Sequence, residues 1–308
     1  MEIIIIVCGL IIKLGTVLGA GVLLGFPLGI LYARLSYYDG SEKTGARKSD
    51  AWQIWLADCF LVTLFRRHYV MHRQGYINRD GARTEYVPSA YYDALLETQE
   101  SKPVVFAGHP HGLFAIGSLL MVGLPEGERR GTTRTKPVAD MWRRVVPCVH
   151  RHVFAVPFLR DLALLLGAVD VTRDNMTRML ESRSIYVAPG GCREMIIETD
   201  GDGVQKQSCR HTGFLSIAYQ EKRLVYPMIH RGQERVFVAY SCDWLNQLRH
   251  TVLDLTGYPF PTLFTGPWPS AMTTYLCEPH DPAEYKDEEA FVNAYFEAIR
   301  LYSAAAEK

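Results

Sequence analysis

The sequence predicts an α/β fold, with a mainly parallel sheet flanked by helices, carried behind an N-terminal hydrophobic helix or hairpin. Three observations predict it. From residue 104 onward, short β-branched runs alternate with stretches of helical periodicity, the pattern of strand–helix units. Two of those runs end abruptly in glycine-rich turns, Gly108-His109-Pro110-His111-Gly112 and Pro189-Gly190-Gly191. Residues 3–32, finally, are almost wholly apolar and broken only by Lys13.

The uncharged part of that run, residues 14–33, is long enough for one membrane span at roughly 1.5 Å per residue. The whole run overshoots a bilayer core unless it tilts or bends. Gly15 and Gly19, then Gly21, Gly25 and Gly29, recur at fours, and Pro27 can kink the chain, so a tight hairpin or a packed span both fit. No basic segment precedes the run, which argues against a secretory signal peptide. Arg34, Lys43, Arg47 and Lys48 outnumber Asp39 and Glu42, which places the following chain on the cytosolic side. The expected division is a membrane segment over 1–35, a juxtamembrane segment over 36–72 and a cytosol-facing domain over 73–308. Within the middle segment, residues 51–65 carry Trp52 and Trp55 and end in Arg66-Arg67-His68. Asp58 argues against a span there, so an interfacial helix is expected.

Composition sets bounds. The 33 basic and 33 acidic residues cancel, which gives no footprint for nucleic acid. Seven scattered cysteines form no CxxC pair, so reduced thiols are expected.

Along the domain, residues 72–102 read as polar and turn-rich, residues 104–108 as a buried strand and residues 113–122 as a helix. Residues 125–137 form a basic loop suited to solvent, lipid headgroups or cofactor phosphates. Arg160-Asp161 opens a helix capped by Gly167, and residues 168–171 read as a strand. Thr172 caps the next helix. Residues 184–188 form a strand running straight into Pro189-Gly190-Gly191-Cys192-Arg193-Glu194. A helix over 210–219, strands over 224–229 and 235–240, and a proline-rich loop over 255–270 follow. A final helix begins at the acidic residues 287–289 and carries Phe291, Tyr295, Ala298 and Tyr302 on one face.

Ligands of α/β folds bind beyond the carboxyl ends of strands. Two exits there carry chemistry: His109 and His111 on one, Gly190, Gly191 and Glu194 on the other. If the strands are neighbours, a carboxylate can orient one imidazole nitrogen while the other takes a proton from an attacking hydroxyl. Amides of the glycine turn are then suited to a developing oxyanion. Other readings compete. His109 and His111, like His150 and His152, form an HxH pair of the kind zinc uses. Cys192 offers a thiol beside the glycines. Asp200-Gly201-Asp202-Gly203 faintly resembles a calcium loop but lacks the later ligands. No metal is expected.

His109-Pro110-His111-Gly112, then Pro157-Phe158-Leu159-Arg160-Asp161 with Gly167, then Pro189-Gly190-Gly191-Cys192-Arg193-Glu194 resemble, in that order, the type-2 diacylglycerol acyltransferase family, which includes monoacylglycerol acyltransferases and wax synthases. Arg210-His211-Thr212-Gly213-Phe214 and Leu224-Val225-Tyr226-Pro227 with Gly232 and Glu234 are similar to its following blocks. The chain departs from the family in lacking a Tyr-Phe-Pro motif before the histidines and in the stretch 228–234. The resemblance implies a membrane-anchored acyltransferase domain that moves a fatty acyl group from acyl-CoA to a lipid hydroxyl, with diacylglycerol favoured. Monoacylglycerol, a fatty alcohol or a lysophospholipid are the alternative acceptors, and a metal-dependent hydrolase or a non-catalytic lipid-binding protein are remoter readings. It implies His111, or else His109, as base, with Glu194 orienting it. Gly112, Pro189, Gly190, Gly191, Arg193, Arg160, Asp161 and Arg210 would line the oxyanion and substrate sites. Acyl-CoA serves as co-substrate with no further cofactor, and the bilayer and a neutral lipid are the partners. Homo-oligomerisation is left open. The expected location is the endoplasmic reticulum membrane, facing the cytosol, and lipid droplets.

Overall fold

The computed structural model describes residues 39–110, 112–124, 136–155, 159–195, 211–258 and 260–307, apart from the side chains of Phe60, Lys136, Pro137, Arg193 and Glu194. The apolar run 3–32, most of the basic loop 125–137, Pro157-Phe158, His111, Asp200 to Gly203 and Arg210 lie outside the described residues. Among the described residues no helix is long and apolar enough to cross a membrane.

Ten strands are described: β1 (Val70–Ile77), β2 (Arg83–Thr84), β3 (Val105–His109), β4 (Val146–Val149), β5 (Val169–Asp170), β6 (Ile185–Val187), β7 (Val225–Arg231), β8 (Val238–Ala239), β9 (Phe264–Thr265) and β10 (Ser270–Cys277). Eight of them form one sheet in the order β2-β1-β10-β7-β3-β6-β4-β5, and β8 pairs with β9 separately. From β7 to β5 the strands are all parallel. β10 runs antiparallel to β7, so it and its parallel partner β1 point the other way. The sheet is thus mainly parallel, as expected, with antiparallel pairing only at the β1–β2 edge and at the β7–β10 junction.

The central strands are apolar on both faces, which is why they read as continuous hydrophobic runs. Val105 and Ala107 of β3, with Ile185 and Val187 of β6, pack against the helices Gly213–Gln220 and Glu288–Glu307. Phe106 and Tyr186 point to the opposite face, into a cluster with Trp142, Met121 and Leu95. The Phe106 and Trp142 rings lie 4.8 Å apart by centroid. Because side chains alternate, slipping β3 by one residue would exchange these two sets, so packing fixes the register.

Most local signals act as expected. Thr172 caps the helix Arg173–Leu180, accepting from the Asn175 amide, and Gly167, at φ 80°, follows the helix Leu159–Leu165. Asp287 accepts from the Ala290 amide at 2.8 Å to start the last helix. The stretch 51–65 forms two helices, Asp50–Asp58 and Phe60–His68, broken at Cys59, with Trp52, Trp55 and Leu61 exposed. The helix after the histidines starts later than its apolar pattern, at Ile116, and widens into a π-turn over Leu119–Gly123. Such turns are frequent at functional sites. Sequence pattern gave no sign of β1, β10, or the helices Ser89–Ser101 and Asp243–Thr256.

His280 ties the end of β10 to the start of β7, its backbone exchanging both hydrogen bonds with Val225. Its ring sits between Tyr295 and Tyr302. Burial, then the nearby Arg79, pushes its pKa down to about 4 from 6.5. The folded chain therefore binds this proton less readily than the unfolded chain. The stabilisation is complete above pH ~6.5 and is lost as pH falls toward 4, by roughly 3 kcal/mol at most. Melting temperature should decline between pH 7 and 4.5, and His280→Gln should flatten that decline by several degrees. An unchanged slope in the variant would assign the acid sensitivity elsewhere.

Candidate active site at the exits of β3 and β6

β3 lies between β6 and β7, parallel to both. Ala107 is level with Val187, and His109 with Ile229. Three chain segments therefore leave the sheet side by side at one edge: the histidine turn after β3, the Pro189-Gly190-Gly191 turn after β6, and the His230 to Glu234 stretch ending β7. Strands read from sequence as separate runs are here neighbours, which is the condition for the two motifs to share a site.

His109 is 3% exposed, and its Nε2 lies 2.8 Å from the Tyr295 hydroxyl on the final helix. Burial raises the Tyr295 pKa well above its usual value, so the partner is a neutral phenol. The Phe214 ring packs edge-on against Tyr295, which links the helix Gly213–Gln220 to this histidine. His109 is thus held inside the fold. His111 lies outside the described residues. Gly112 takes φ 65° and Gly191 φ 55°, left-handed conformations that suit glycine in both turns.

The Gly191 amide turns back to the Ala188 carbonyl at 3.3 Å. After this turn the chain forms a short 3-10 segment, Gly191–Met195. A Cβ at Gly191 would lie 3.9 Å from His211 Nε2, so the turn and the start of the Gly213 helix are close neighbours. Burial pushes the Cys192 thiol pKa up, contrary to what an activated nucleophile requires. Arg160, 2% exposed, pairs with Glu42 at 2.8 Å, and Asp161 pairs with Arg47 at 3.2 Å. These two residues brace the helix Leu159–Leu165 against the segment 42–47. His150 and His152 stack on each other with Nδ1 atoms 2.8 Å apart. Among the described residues no group of three or more His, Cys, Asp or Glu is placed to hold a metal.

Two residues that sequence pattern did not single out support the histidine turn. His230 is fully buried on the face opposite His109. Its Nε2 lies 3.1 Å from the Tyr186 hydroxyl and its Nδ1 2.9 Å from Thr274 Oγ1. Tyr186 also bonds Ser118, and Thr274 also meets His72 Nε2 at 2.9 Å. Gln233, likewise buried, donates to the Pro110 carbonyl and accepts from the Gly117 amide at 3.0 Å. The visible signal was a polar run, His230 to Glu234, directly following an apolar strand.

With this geometry in view, the comparisons with known proteins fall into place. The diacylglycerol acyltransferase profile matches residues 73–266. The chain is 23% identical over 260 residues to diacylglycerol O-acyltransferase 2A of Umbelopsis ramanniana, covering 80% of this chain and 62% of that protein. It is 22% identical over 160 residues to diacylglycerol O-acyltransferase 2-like protein 6 of Mus musculus, covering 50% of this chain and 45% of that one. Spanning 194 of 308 residues, the profile match places the chain in the diacylglycerol acyltransferase family. The chain spans about half the length of the curated relatives it matches. A looser likeness, TM-score 0.40 at 14% identity over 71% of this chain and 80% of the other, is to the 1-acyl-sn-glycerophosphate acyltransferase PlsC of Thermotoga maritima.

Glycine is required where the histidine turn meets this support. A Cβ at Gly108 would collide with the Tyr186 hydroxyl and lie 2.7 Å from His230 Nε2. Gly108→Ala should cost about 1–3 kcal/mol through overpacking. Removing the hydroxyl with Tyr186→Phe should recover part of that cost, so the double variant melts higher than additivity predicts. Strict additivity would contradict the packing.

Proposed function

We propose that the chain is an acyl-CoA-dependent O-acyltransferase that esterifies the free hydroxyl of diacylglycerol to give triacylglycerol. The observation that carries the proposal is the parallel adjacency of β3 and β6, which brings the HPHG and PGG turns of this family to one edge. His111 is assigned as base in preference to His109, because His109 is buried with Nε2 committed to Tyr295. In the reaction, His111 takes the hydroxyl proton while that oxygen attacks the thioester carbonyl carbon. The carbonyl oxygen gains negative charge, which the Gly190 amide is suited to stabilise, since Pro189 has no N–H and the Gly191 amide is bonded to Ala188. The C–S bond then breaks, and the imidazolium returns its proton to the departing CoA thiolate. Glu194 orients the imidazole, and Gly112 gives the turn its reversal. Arg193 and Arg210 are assigned to the CoA phosphates. No cofactor enters these steps.

A lipid acceptor reaches such a site from a membrane. Supporting that access, residues 238–268 expose Trp244, Leu255, Phe260, Leu263 and Trp268 and contain no lysine. Phe114, two residues beyond Gly112, joins Phe237 and Phe264 in an aromatic cluster beside this surface. Trp52 and Trp55 add a second exposed aromatic pair. With the apolar run 3–32 as anchor, the protein is assigned to the cytosolic side of the endoplasmic reticulum membrane and to lipid droplets.

Membranes containing wild type, His111→Ala or Glu194→Ala, supplied with labelled acyl-CoA, test this directly. Diacylglycerol, monoacylglycerol, fatty alcohol and lysophospholipid are offered in parallel. Labelled triacylglycerol from wild type, reduced at least ~100-fold in His111→Ala at equal protein level, is the expected result. Absence of transfer to all four acceptors by well-expressed wild type would overturn the proposal.

A further inference from the structure

We infer that Gln233 is a positioning residue for the histidine turn, fixing it from both ends through a single buried amide; its catalytic consequence rests on the acyl-transfer reading above. The amide nitrogen donates to the carbonyl of Pro110, the residue immediately before His111 in sequence. The amide oxygen accepts, at 3.0 Å, from the N–H of Gly117 in the short helix after the turn. One rigid planar group thus sets the separation between the entry and the exit of the loop 110–117. Only a side chain with a donor and an acceptor at opposite corners of one plane does this.

The mount beneath Gln233 is itself fixed. Gly232 precedes it in a left-handed conformation at φ 86°. The Ser270 hydroxyl donates to the Gly232 carbonyl at 2.7 Å, and a Cβ on Gly232 would run into the backbone of Ala271. Val236, three residues on, is fully buried in a cluster with Ile116 and Leu120, so both sides of the clamp share one apolar core. On the other side of the loop, a Cβ at Gly117 would crowd His230, so the Gly117 amide has little freedom to follow a displaced partner. A reacting base tolerates displacement poorly: about 1 Å of misplacement can cost on the order of 100-fold in rate.

Three variants separate positioning from mere stability. Gln233→Met keeps the length and removes both hydrogen bonds. Gln233→Glu keeps the acceptor and regains a donor only when protonated. Gln233→Asn keeps both groups but is too short to span the gap. Hydrogen exchange of the peptide covering 112–124, measured on the full chain in detergent, reads the clamp without reference to catalysis. Gln233→Met and Gln233→Asn should speed exchange there by at least about tenfold, while exchange in β6 stays unchanged. In the acyl-transfer assay both should lower kcat at least about tenfold, with KM for acyl-CoA within about twofold of wild type. Gln233→Glu should recover toward wild type as pH falls from 8 to 6, since its neutral acid reproduces donor and acceptor.

Unchanged exchange at 112–124 in Gln233→Met would overturn the clamp. So would an unchanged kcat, or a loss of rate matched by a general loss of melting temperature. Should Gln233→Met fail to fold, a Gln233→Glu to wild-type rate ratio that is flat with pH would overturn it equally. An inactive wild type would count against the acyl-transfer reading alone, and exchange would still decide the clamp.

Discussion

The parallel contact between β3 and β6 is the constraint on which the rest of the arrangement depends. Parallel neighbours bring their carboxyl ends to the same level, so segments 80 residues apart in sequence meet at one edge of the sheet. Burial on both faces locks that contact: Val105 and Ala107 are held by one helical layer, Phe106 by the other. With β7 on the opposite side of β3, a third exit arrives at the same edge and supplies His230 and Gln233. The candidate site is therefore a consequence of strand order before it is a consequence of any one side chain.

Polar groups then hold the edge from both faces. Below one face, His109 meets Tyr295 of the final helix; on the other, His230 meets Tyr186 and Thr274. Buried polar groups are costly when unpaired, so each histidine is stable where it lies only because its neighbours complete it. The glycines at 108 and 117 are the room that the Tyr186 and His230 rings need. The two described groups that flank the turn, the Pro110 carbonyl and the Gly117 amide, are both bonded to Gln233.

What was legible in the sequence follows the same physics. β3, β6 and β7 announced themselves because strands buried on both faces are apolar at successive positions. β1 and β10 did not, since half-buried His72 and Gln74 flank an exposed Arg73 in a strand whose partner lies 200 residues away. The helix Asp243–Thr256 hid for a different reason: its outward face carries Trp244, Leu248 and Leu255, which erases the apolar–polar contrast of a helix on a soluble surface. The histidine and glycine motifs were readable by composition, but their meeting was not, because parallel pairing leaves no local trace. Gln233 was the least visible, as its role depends on two backbone groups over 100 residues away.

The most direct test of the shared site is a structure of the protein bound to a non-transferable acyl-CoA thioether. The account predicts that the thioether sulfur lies between the histidine turn 109–112 and the glycine turn 189–191, with the Gly190 N–H directed at the position the substrate's carbonyl oxygen would take. Its acyl chain should then run toward Phe114. A thioether bound at any other edge of the sheet, with both turns empty of ligand, would contradict it.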